Sequence, residues 1–161
     1  MSTQTIPAAA VSADGWDNPG GFLSAAVGPA TTAGSSTPDV VVTFAAAALP
    51  TGATLTKLAI TITAGAVPSD GAQPAIDQIR PTVAGEPVGD PQQHGNGLGE
   101  TPAEYTAELY PADLVAAGIT PAVLNAGGLG AVLSFYDRTG AENGNAAWSA
   151  GPVVAVAEYM V

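Results

Sequence analysis

Twenty Gly and fourteen Pro residues make up about a fifth of this 161-residue chain, and they separate short apolar runs instead of interrupting long ones. A chain broken this often cannot sustain long helices, because Pro ends a helix and Gly weakens it. The fraction stays below the roughly 25–30% at which disorder becomes the default, so the punctuation predicts many turns between short strands. The length fits one domain. The longest uncharged apolar stretch, Val40–Leu49, is about half of the ~20 residues that a membrane span requires, and no membrane association is expected.

The runs between the turns have strand character. Asp39–Ala46 (DVVVTFAA) is β-branched and aromatic, the side chains that suit a pleated surface. Leu55–Ala64 alternates, with Leu58, Ile60, Ile62 and Ala64 on one face and Ala59, Thr61 and Thr63 on the other. Ile76–Val83 reads as a strand in which Pro81 points to an edge or a bulge. Tyr105, Ala107 and Leu109 alternate with Thr106, Glu108 and Tyr110, and Leu129–Tyr136 and Pro152–Val161 complete the set. The segment FLSAAV within Gly21–Ala30 reads as a first strand, and Thr31–Pro38 and Gly85–Glu100 read as loops. Pro111–Ala126 holds two segments with Pro at the start and Gly after the end, the asymmetry of short helices. Six or seven strands of this kind predict an all-β fold: an antiparallel β-sandwich or jelly roll with one or two short helical turns inserted around residues 111–127.

Residues 1–20 are polar or small, contain Pro7 and Pro19, and read as an extended N-terminal arm whose large apolar anchor is Trp16. Residues 21–161 then form a single β-sandwich domain. The last strand runs to Val161, so a chain ending at Gly151 is expected to unfold.

Charge narrows function further. Three cations, Lys57, Arg80 and Arg138, stand against fourteen acids, a net charge of −11. Nucleic acid is held by cations that neutralise phosphates, and three scattered ones make no footprint. An anionic membrane surface needs clustered Lys and Arg in the same way. No Cys means no thiolate nucleophile and no thiolate metal site, and the single imidazole, His94, excludes sites built on two. The opening MSTQTIPAAAVSADG does not read as a secretory signal, since no Lys or Arg precedes a long apolar region. Mean hydropathy is +0.28 with only 11% charged residues. Much of the surface must then be Ala, Thr, Gly, Ser and Val, a composition that favours partial coverage by neighbouring subunits.

No residue pattern singles out catalysis. His94 lies in PQQHGNGLG without a nucleophile beside it and reads as loop decoration. Glu104 and Glu108 fall on one side of a strand and face water, whereas a glycosidase pair needs two carboxylates ~5–9 Å apart across a cleft. Two acidic loops, Asp14–Asn18 and Asp137–Asn143, offer oxygen ligands of the kind Ca²⁺ prefers. Neither has EF-hand spacing, and Asp, Asn and Gly are ordinary turn residues; no metal and no cofactor is expected. Trp16, Trp148 and the tyrosines are weighed as sugar-stacking platforms, with Trp16 as the arm's anchor and Trp148 as core the preferred readings.

The order of several segments carries a resemblance. Trp16-Asp17-Asn18-Pro19 comes first, then Leu49–Leu55 (LPTGATL) leading into the alternating strand. Val83-Ala84-Gly85 with Gly89, the segment Leu124–Leu133 (LNAGGLGAVL) and a Val-rich strand to Tyr159 follow. In this order the chain resembles the β-sandwich (jelly-roll-like) accessory virion proteins of tailed bacteriophages, the capsid decoration and head-fibre type. The resemblance implies a structural role in the virion, often as a trimer, and carries over no catalytic residue. The chain has no coiled-coil or triple-helical stalk, which favours a compact shell-bound role over a long appendage.

The expectation is therefore a non-enzymatic capsid decoration protein, assembled in the host cytoplasm and bound to the major capsid protein, to copies of itself, or to both. Ile6, Val11 and Trp16 are the candidate contacts by which the arm docks. The alternative is a carbohydrate- or receptor-binding module of a tail tip or fibre.

Overall fold

A computed structural model describes residues 1–94, 97–139 and 145–161. Among the described residues ten strands run antiparallel: β1 (Ser2–Ser12), β2 (Ala30–Gly34), β3 (Val40–Phe44), β4 (Thr54–Ser69), β5 (Pro74–Val83), β6 (Glu86–Pro87), β7 (Gln92–His94), β8 (Ala103–Leu109), β9 (Leu129–Asp137) and β10 (Asn145–Met160). Two short helices, α1 (Pro111–Ala116) and α2 (Pro121–Asn125), lie between β8 and β9. The hydrogen-bonded order is β6-β5-β9-β3-β1-β10-β4-β8, with β2 also on β10 and β7 on β5. The sheet curls strongly on itself, and the all-β, antiparallel, sandwich-like class follows.

The expected arm is instead a central strand. Ser2–Pro7 pair with β10, and Ala8–Ser12 pair with β3 after a register shift between Ala8 and Ala10. β1 thus passes from one layer to the other and ties them together. A bulge lets one strand change direction in this way. Pro7 is tolerated because only its missing N–H would matter, and its carbonyl still accepts from Ala45 N–H at 2.9 Å. Ile6 is 2% exposed and Trp16 6%, so these two of the arm's expected docking residues belong to the core, and Val11 is half-buried against it.

Other local expectations change, among them Gly85–Glu100, read as a loop, which contains the short β6 and β7 paired to β5. FLSAAV forms no strand: Pro19–Phe22 and Ala25–Val27 are single 3₁₀ turns, the first entered through Asn18 at φ 51°. The Asn18 side-chain amide donates to Val27, Gly28 and Pro29 carbonyls at 2.8, 3.1 and 3.1 Å, clamping the loop closed. The segment read as a Ser/Thr/Gly loop contains β2, because β10 is long enough to carry β2 beside its first half and β1 beside its second. Between those halves β10 shifts register from Ala150 to Val153, which takes Pro152 off a ladder that it cannot feed. Pro81 lies in β5, whose far side is bordered by the short β6 and β7.

The core follows the alternation. Leu58, Ile60, Ile62 and Ala64 of β4 are fully buried, as are Ala155 and Ala157 of β10. Each large aliphatic side chain contributes roughly 1.5–3 kcal/mol on burial. Phe135 of β9 meets Trp148 of β10 across the layers at 5.7 Å between ring centroids, and Trp16 packs on Phe135 and Phe22 at 5.7 and 5.0 Å. Trp148 Nε1–H donates to the Gly34 carbonyl at 3.0 Å. The helices close one end through Leu114, Ile119 and Leu124, all buried. There the Asn125 side chain pairs with both main-chain groups of Leu49, at 2.8 and 3.0 Å.

Gln92 makes a similar joint where the two ends of the sheet approach. Its Nε2 donates to the Glu108 carbonyl at 2.8 Å and its Oε1 accepts from Glu108 N–H at 3.2 Å. A side-chain amide stands in for a peptide group and joins β7 to β8.

β9 crosses so close to its neighbours that Gly130 has no room for a side chain. A Cβ there would lie 2.4 Å from Thr82 Oγ1 and 2.6 Å from the Val42 carbonyl oxygen, and the second is main chain. Gly130→Ala should destabilise by about 1–3 kcal/mol, the cost of overpacking. At ~2–4 °C per kcal/mol for this size, that lowers Tm by roughly 2–12 °C, read by thermal melting; an unchanged Tm would contradict the close crossing.

Candidate functional site

The residues singled out in the sequence do not converge. Ile6 and Trp16 are core, and Val11 is half-buried against it. Trp148 is core as well, so neither indole presents a face to a sugar from solvent. His94 is part of β7, not of a loop, and its ring packs against Tyr105 at 5.7 Å. In the first acidic loop, Asp17 and Thr31 exchange main-chain hydrogen bonds and Asn18 serves as a donor, so the segment is used as a turn. In the second, Asp137 is buried and its Oδ1 accepts from the main-chain N–H groups of Gln73 and Thr139 at 2.8 and 3.0 Å. Residues 140–143 of that loop lie outside the described residues. Among the described residues no three His, Asp or Glu side chains gather as metal ligands, and no helix is long and apolar enough to cross a membrane.

The outward face of β1, β10, β4 and β8 does gather residues. Register sets Thr5, Val156, Ala59 and Glu108 in one row and Pro7, Val154, Thr61 and Thr106 in the next. Period-2 alternation sends these side chains out because their neighbours Ile6, Ala155, Ile60 and Ala107 go in. Thr61 and Thr106 join through their hydroxyls at 2.7 Å. The centre of the face is therefore uncharged and β-branched.

Charge is confined to its margin. Glu158 lies directly opposite Lys57, and Glu108 lies diagonal to it on β8. Lys57 Nζ is 2.6 Å from Glu108 Oε1 and 3.9 Å from Glu158 Oε1. Tyr110, just past β8, donates its hydroxyl to Glu108 Oε2 at 2.6 Å, and Lys57 Nζ stands 5.8 Å from its ring centroid. The hydrogen bond from Lys57, then that from Tyr110, holds the Glu108 carboxyl below its ordinary 4.5. The same bonds to Glu108 raise the Lys57 ammonium above 10.5 and the Tyr110 phenol above 10.0.

The signs fix the pH window. A depressed Glu108 contributes stability above pH ~4.5 that is lost as pH falls through its lowered value, and a raised Lys57 contributes below pH ~10.5 and is lost at higher pH. The contribution is small, since both side chains are partly in water, at 23% and 40% exposure. In a carbon-13 NMR titration, Glu108 should show a midpoint below 4.5, and Lys57→Met should raise it. An unmoved midpoint would mean that the pair is not formed in solution.

A comparison with protein-family models finds no match for this chain, and one with curated proteins finds none either.

Proposed function

We propose that this chain is a non-enzymatic structural protein of a virion, an accessory (decoration) protein seated on the outer surface of a tailed-phage shell. Its partners are the major capsid protein and other copies of itself, with a trimer as the implied assembly, and the particle forms in the host cytoplasm. The observation that carries the reading is the four-stranded outward face, uncharged at its centre and acidic at its margin. The centres of protein interfaces are depleted of charge in this way. The order of segments from Trp16 to Tyr159 that resembles accessory virion proteins points in the same direction.

The docking element differs from the expected arm. Residues 2–12 are built into the sheet, so contact with a shell falls to a finished surface and not to a segment that orders on binding. The tail-tip or fibre reading, a carbohydrate- or receptor-binding module, loses the buried Trp16 and Trp148 as platforms.

Copy number in purified particles, measured by quantitative mass spectrometry against the major shell protein, tests the proposal. A ratio comparable to the shell protein is the expected result. A handful of copies per particle would replace it with the tail reading, and absence from particles would overturn both.

A further inference from the structure

We infer that the outward face of β1, β10, β4 and β8 ends in a socket for one protruding apolar side chain of the shell subunit, flanked on that subunit by Lys or Arg. The inference rests on the accessory-virion reading and says which face docks and what it recognises.

The socket arises from the β10 bulge. The register shift between Ala150 and Val153 lifts Gly151 and Pro152 out of the ladder beside Thr63 of β4. A Cβ on Gly151 would come within 3.2 Å of Thr63 Cβ, so a residue without a side chain keeps the floor open. Pro29, Ala25 and Pro102 supply further walls of a cleft of about 260 Å³. That is below the ~300–1,000 Å³ of sites for whole small molecules, and it suits a single side chain. The polar groups that the lining side chains offer are the hydroxyls of Thr63 and Ser149, so an apolar group fits and a charged one does not.

Socket and face are continuous. Thr63 follows Thr61 on the outward side of β4 and lies directly opposite Glu104 of β8. An uncharged centre with an apolar pocket at its end and charge around it is the anatomy in which a few anchored side chains carry most of the binding energy. Charge selects the occupant. Glu104, Glu108 and Glu158 outnumber Lys57, which pairs with the last two, at the margin of a chain with net charge −11, so a second copy would bring a net excess of acids toward acids. A surface with a neutral centre and basic margin meets them favourably.

The test is co-sedimentation of the purified full-length chain with particles from its source that lack it. Failure of the unaltered chain to bind would overturn the virion reading itself. Given binding, Ala25→Trp, which fills the socket from its exposed rim, and Thr61→Glu, which charges the centre, should each weaken binding by at least about tenfold, a loss typical of a disrupted hot spot. Glu104→Lys should weaken it too and flatten its salt dependence. Thr43→Glu, exposed on β3 of the other layer, should bind as the unaltered chain does. Equal binding by all variants would overturn the socket while leaving the virion reading intact. If Ala25→Trp instead dissolves an oligomer of the free chain in sedimentation velocity, the occupant is a second copy and the inference is likewise overturned.

Discussion

A chain lacking residues 2–12 is expected to lose cooperative unfolding altogether. β1 makes both of its ladders with long-range partners, β10 at the far end of the sequence and β3 in the opposite layer. Its removal strips Ile6 and Ala8 from the core and leaves facing main-chain groups of β10 and β3 without partners. Ile6 alone contributes roughly 1.5–3 kcal/mol on burial, and each buried polar group left unpaired costs about 1–3 kcal/mol. The loss of both ladders together with this burial is comparable with the whole 5–15 kcal/mol by which a domain is stable. Far-ultraviolet circular dichroism during heating reads the outcome as a shallow drift in place of a transition. A sharp melt within a few degrees of the full-length chain would return these residues to the status of an arm.

The second large effect is at the other end. A chain ending at Gly151 loses the half of β10 that pairs with both β1 and β4, including Val153, Ala155 and Ala157, which are 1%, 0% and 0% exposed. The same melt should again show no cooperative transition, and exchange of main-chain amides in β4 should become fast. A folded product with protected β4 amides would mean that β4 finds its stability elsewhere.

Where a strand buries one face and wets the other, the sequence announces it. Leu58, Ile60 and Ile62 are legible because period 2 is the only pattern that suits them, and Pro111 and Pro121 mark α1 and α2 because Pro favours a first helical turn. β1 was illegible for a physical reason. STQTIPAAAVS is made mostly of small and polar residues and buries little besides Ile6 and Ala8, and its place comes from main-chain pairing with strands distant in the sequence, β3 and β10. FLSAAV misleads in the opposite sense, since an apolar run of six residues fits a strand or two tight turns equally, and the Asn18 clamp decides. The outward face was half legible. The alternation sets Ala59 and Thr61 on one side of β4, but their alignment with Val156 and Val154 depends on register that only the folded chain displays. The Lys57–Glu108–Tyr110 cluster follows from that same register and had no local signal.

The Gln92 joint has a consequence for life at high local concentration. An uncovered strand edge is a row of unpaired donors and acceptors on which another chain can lengthen the sheet, and repeated copies of that event make fibrils. The net charge of −11 opposes this in general, but repulsion spread over a whole surface does not by itself block one edge. Gln92 occupies the main-chain groups of Glu108 near the end of the exposed strand. Two β8 edges meeting antiparallel about Thr106 would also set Glu104 of each copy against Glu108 of the other, like charge against like. One amide and two carboxylates thus stand against edge-to-edge growth of the sheet at β8.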